Sequence, residues 1–152
     1  MSGFPPGISL PDPLLTAAIL FVLTIAFAIR VAGQLVVARS APAWLPPMSE
    51  WYSGVLPYPR LLATQFIMLA LMSTVVIGLA MDVPLIVAER PALGTLLLAI
   101  AWPYGLSMPI RYAIRMYRHP EARWTGRTIP IVFHVVLATW LFVLGSYLRP
   151  PA

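Results

Sequence analysis

Four side chains able to form strong hydrogen bonds interrupt otherwise apolar stretches of this chain: Arg30, Gln34, Gln65 and His134. Arg30 and Gln34 are four residues apart and share one face of a helix. Counted from the ends of their apolar stretches, all four fall at similar depth on the same side of a bilayer. Polar groups in lipid are costly unless they are paired or turned inward, so this shared depth predicts one cluster, with Arg111 and Tyr112 at its mouth. A guanidinium, two amides and an imidazole could together hold the polar head of a lipid or a quinone, or of an isoprenoid substrate. The same residues also have a structural reading. Arg30 can snorkel to the headgroups, and glutamine and histidine commonly bridge helices with no ligand present.

Other chemistry is harder to assemble. His134 could be an axial ligand to a tetrapyrrole, but the second histidine of a bis-histidine haem is missing, since His119 lies in a loop before Pro120. No two of His119, His134, Glu50 and Glu121 have the spacing of metal ligands on a helix, so no metal site is expected. No carboxylate lies within a span to carry protons, and no serine or cysteine stands beside a histidine base. Glu50 and Glu121 could meet as an acid and base pair, yet both have arginines nearby that account for them as solvated ion pairs. No catalytic residues are assigned.

The elements that must position this cluster are membrane spans. Of the 152 residues, 60% are hydrophobic and 10% charged, with a mean hydropathy of +0.85, against about 25% charged residues in soluble domains. The expectation is a single all-α integral membrane domain, residues 1–152, with four transmembrane helices arranged as two hairpins. Asp12-Pro13 reads as an N-cap and first-turn proline, opening a span over about 14–37 that is ~36 Å long, more than a hydrocarbon core needs. No basic region or small-residue cleavage site precedes it, so it is predicted to be a retained span. Further spans are predicted over about 61–81, 92–110 and 129–148, the third kinked at Pro103 and Pro109, which lack the amide proton owed to the preceding turn.

Residues 39–60 are too rich in proline to span. Trp44, Trp51, Tyr52 and Tyr58 there predict an interfacial aromatic loop, and Trp102 and Trp124 are assigned to the same boundary. All ten basic residues are arginines, and cysteine is absent, which rules out disulfides and thiolate chemistry. Arg39, Arg60, Arg111, Arg115, Arg118, Arg123 and Arg127 follow spans one and three, against Arg90 and Arg149 on the other side, a bias of seven to two. The positive-inside rule therefore places loops 38–60 and 111–128 in the cytoplasm and both termini in the periplasm of a bacterial inner membrane. Arg115, Arg118, Arg123 and Arg127 are expected at anionic lipid headgroups, and nucleic acid is not expected despite a pI near 10.2.

The segments Trp51-Tyr52-Ser53-Gly54 and Trp124-Thr125-Gly126, each leading to a proline and then a Leu-Ala-Thr triplet, suggest a duplicated hairpin with a pseudo-twofold along the membrane normal. Four short spans with no catalytic set suit an accessory or assembly subunit that packs against a larger membrane complex, or self-associates. The alternative is a lipid- or quinone-binding protein built on the Arg/Gln/His cluster.

Overall fold

Asp12 starts the first span as its sequence requires: its carboxylate accepts from the Leu14 N–H at 2.9 Å, and Pro13 occupies the first turn. From there α1 runs Pro13–Ser40, followed by α2 (Met48–Trp51), α3 (Tyr58–Ala80), α4 (Pro84–Val87), α5 (Pro91–Arg118) and α6 (Thr128–Leu148). The computed structural model describes residues 12–51, 56–118 and 128–149, and no strand occurs among them. Four helices, α1, α3, α5 and α6, are long and apolar enough to cross a bilayer. Large side chains such as Leu14, Val22, Ile29 and Leu71 point outward and are well exposed, a surface suited to lipid rather than water. The chain is an all-α integral membrane protein.

Three helix boundaries differ from the hydropathy reading. α1 continues through Arg39 to Ser40, α3 opens three residues early at Tyr58, and α5 passes through both Pro103 and Pro109 and on to Arg118. Hydropathy marks where lipid contact ends, whereas arginine and tyrosine prolong a helix without difficulty once it has left the hydrocarbon. Residues 111–118, expected in a loop, are therefore helical. Of the rest of that loop, residues 119–127 lie outside the described residues.

Helices α1 and α3 form one antiparallel hairpin and α5 and α6 another, joined by packing of α1 against α6. The α5–α6 pair is drawn close by two glycines. A Cβ on Gly94 would stand 2.8 Å from the Gly145 carbonyl oxygen, and one on Gly145 would stand 3.1 Å from the Gly94 carbonyl oxygen. Between α1 and α6, Trp140 Nε1 donates to Thr24 Oγ1 at 3.2 Å, while that hydroxyl donates to the Leu20 carbonyl at 2.7 Å. Around this clasp and toward α4 lies the apolar core, with Leu20, Met72, Leu79, Leu144 and Tyr147 among its members. The end is closed by the Tyr147 hydroxyl, which donates to the Val87 carbonyl of α4.

The turn from α3 to α4 is a Schellman closure. Asp82 takes a left-handed φ of 54°, its N–H donates to Leu79 O, and the Val83 N–H donates to Gly78 O. Helices α3 and α5, by contrast, form no packed interface. A twofold relating the hairpins would exchange α1·α6 for α5·α3, so the observed packing lacks the symmetry suggested by the duplicated tryptophan motif.

Candidate functional site: a polar cavity among α1, α3, α5 and α6

The site is built on one stripe of α1. Phe27, Arg30 or Val31, Gln34 and Val37 recur at helical spacing, and all are buried. Arg30 lies ten residues before the end of α1 at Ser40, ~15 Å along the axis. Its Nη1 donates to Gln34 Oε1 at 3.0 Å and its Nη2 to the Trp51 carbonyl at 3.1 Å. From the facing helix, Gln65 Nε2 donates to the same Gln34 Oε1 at 3.1 Å. One amide oxygen thus ties α1 to α3, and the guanidinium ties both to α2. These side chains are well removed from the surface, with Arg30 8% exposed, Gln34 0% and Gln65 4%.

Trp51 makes the wall at the α2 end. Its indole Nε1 donates to the Pro46 carbonyl at 3.0 Å, and the outer edge of its ring lies against Gly33, where a Cβ would come 2.6 Å from Cη2. Only a glycine at position 33 lets the ring approach this closely. Trp51 was expected as a boundary ring, but it is buried. The reason is tertiary, since the short helix α2 turns its last residue inward. Trp44 and Trp102 are exposed, Trp102 near the middle of the apolar part of α5, and Tyr58 is half-buried. Trp102 meets Phe142 edge-on at 5.5 Å across the outer surface of α5 and α6. Tyr52 and Trp124 lie outside the described residues.

Arg30, Trp51, Gln65 and His134 open on a shared cavity of about 290 Å³, whose remaining wall is largely apolar and includes Phe27, Met68 and Phe133. The Arg30 guanidinium carbon stands 5.9 Å from the Phe133 ring centre, within cation–π range. His134 does not join the amide network. Its Nδ1 is hydrogen-bonded to the Tyr104 hydroxyl of α5, and the two rings meet edge-on at 5.6 Å. Where Tyr104 donates, the imidazole proton sits on Nε2.

Of the predicted cluster, Arg30, Gln34 and Gln65 are bonded to one another, and His134 occupies the same cavity wall. Arg111 and Tyr112 do not line it. Arg111 is exposed, two turns beyond Tyr104 on the same side of α5, ~10 Å along the helix. Arg115 Nη1 reaches Thr128 Oγ1 at 3.4 Å, at the start of α6, and Arg118 is exposed. Arg123, Arg127, His119 and Glu121 lie outside the described residues, so a meeting of Glu121 with Glu50 has no described geometry.

Sequence reading missed Tyr104. Its signal was present in the WPYG segment: a hydroxyl placed mid-span needs a partner, and position 134 supplies one at matching depth. It also missed the wall residues Pro130, Phe133 and Leu137, which repeat at helical spacing around His134.

Two features set the chemistry. Buried Arg30 Nε, Gln34 Nε2 and Gln65 Oε1 make no hydrogen bond, although buried polar groups are almost always satisfied. Among the described residues the cavity wall contains no acidic side chain, and no three histidine or acidic side chains converge. The site can donate and accept hydrogen bonds, and it carries a fixed positive charge. No family model, curated protein or solved structure matches this chain, and the geometry of the site carries the functional reading.

Proposed function

We propose that this protein binds the polar head of a membrane-soluble amphiphile, of lipid or quinone type, in the cavity between its two hairpins. The observation that carries this reading is the pairing of unused buried hydrogen-bonding atoms on Arg30 and Gln65 with an adjoining, mostly apolar cavity inside the membrane-spanning bundle. A volume of about 290 Å³ is at the small end for ligand sites. It suits a head group whose hydrocarbon tail remains in lipid.

With arginine-rich segments on the cytoplasmic side, as the positive-inside rule directs, the cavity belongs to the inner leaflet of a bacterial inner membrane. The cavity favours this reading over that of an accessory subunit in a larger complex, whose support is compositional. A bis-histidine tetrapyrrole has no support in it, since His134 has no second histidine among the described residues.

Native mass spectrometry of protein extracted in mild detergent tests the proposal. A small amphiphile should be retained by the natural chain and lost when Arg30 and His134 are both replaced by alanine. Retention of the same adduct by that folded double variant would reject the site.

A further inference from the structure

The charge of the cavity narrows its occupant. Among the described residues Arg30 is the only cation on the wall, and its two hydrogen bonds go to neutral oxygens, the Gln34 amide and the Trp51 carbonyl. Nowhere among the described residues does a carboxylate pair with it. A guanidinium 8% exposed in a low-dielectric setting normally has an anionic partner, because desolvation is then offset by Coulomb attraction. Its Nε is buried and unused. In this half of the bundle the described residues contain Arg30, Arg39, Arg60, Arg111, Arg115 and Arg118 against the single acid Glu50. The electrostatic field of that half therefore also favours an anion.

A way in is visible as well. Helices α3 and α5 form no packed interface, yet both contribute to the cavity, through Leu61, Thr64, Gln65 and Met68 on one side and Tyr104 on the other. Thr64 is exposed on the outer surface of α3 while also lining the cavity. The wall is thus open to lipid beside Thr64.

We infer that the bound amphiphile has an anionic head, a phosphate or carboxylate, which docks on Arg30 Nε while its tail leaves between α3 and α5 into the lipid. This rests on the proposal that the cavity binds an amphiphile at all, and adds the charge of the head and the route of the tail. A neutral quinone head would leave Arg30 without a counter-charge. A bidentate or charge-assisted bond to an arginine is also the strongest contact the wall can offer.

The test uses matched pairs that share a tail and differ in the head: farnesyl phosphate against farnesol, and phosphatidic acid against diacylglycerol. Each is titrated into the full chain in phosphatidylcholine nanodiscs, with inorganic phosphate as a tail-free control. The phosphorylated member should bind roughly 10- to 100-fold tighter than its alcohol. That ratio should collapse toward one in Arg30→Met and be partly kept in Arg30→Lys. Either phosphorylated ligand beating its own alcohol supports the inference, and the tail that wins identifies the source of the phosphate.

Thr64→Trp, which fills the opening from an exposed position without touching the buried network, should abolish binding of both members of a pair. If each pair binds equally and Thr64→Trp abolishes both, the anionic head is refuted while the cavity reading survives. If no ligand binds, or binding ignores Thr64→Trp, both fall. Inorganic phosphate competing as well as the phosphorylated lipids would overturn the assignment of an amphiphile.

Discussion

The Gln34 side-chain oxygen accepts from Arg30 and from Gln65 at once, so this one atom decides whether the cation is held by a dipole or by a charge. Gln34→Glu keeps the shape and supplies the missing negative charge. The folded protein should gain about 1 to 2 kcal/mol from two charge-assisted bonds, seen as a higher thermal midpoint in detergent. Affinity for an anionic amphiphile should fall about tenfold or more. Opposite signs in the two measurements are the test, and unchanged affinity would sink the role given to Arg30. Much of this cluster was legible beforehand, because depth along a helix is simple arithmetic. Arg30, Gln34, Gln65 and His134 lie on the same cavity or directly behind it. The partners that complete the wall were not legible. Trp51 looks like any aromatic in a proline-rich loop until its ring is seen against Gly33, and Arg111 looked like a gatekeeper until its exposed position two turns past Tyr104 was known.

At the level of helices, the α5–α6 crossing depends on the absence of side chains at two positions. A Cβ on Gly145 would come 3.1 Å from both the Gly94 carbonyl oxygen and Leu97 Cβ, whereas one on Gly105 of the same pair would meet Ala138 Cβ at an ordinary 3.5 Å. Gly145→Val should therefore push α5 from α6 at a cost of about 1 to 3 kcal/mol. Gly105→Ala should be close to neutral. Thermal unfolding of the two variants in the same detergent compares them, and equal losses would show that the close crossing does not matter. The helices themselves could be read from hydropathy, and α1 from its Asp12-Pro13 start. Their ends could not, because α5 keeps its hydrogen-bond ladder through Arg111 and Arg115 after the apolar run has stopped. The Schellman turn at Asp82 was equally hidden, as a left-handed aspartate carries no sequence mark to set it apart from a solvated one.

For the molecule as a whole, the proposed orientation rests on where the arginines lie, and the absence of cysteine from the sequence makes it directly testable. Tyr117, 90% exposed beyond the apolar part of α5, and Glu89, in the connection at the opposite end, serve as single-cysteine sites. Tyr117→Cys should react with a membrane-impermeant maleimide only in inverted vesicles, and Glu89→Cys only in intact cells. The reverse pattern would move the cavity to the outer leaflet.

The hairpin arrangement was foreseeable from four apolar runs. Its lopsidedness was not, since the contact between α1 and α6 and the gap between α3 and α5 depend on which faces interlock. The indole–hydroxyl link of Trp140 to Thr24 and the tightly filled layer behind it give the cavity a floor. On the proposed function, a guest arriving from one monolayer would meet a dead end and leave by the door it used, held and released on one side of the bilayer.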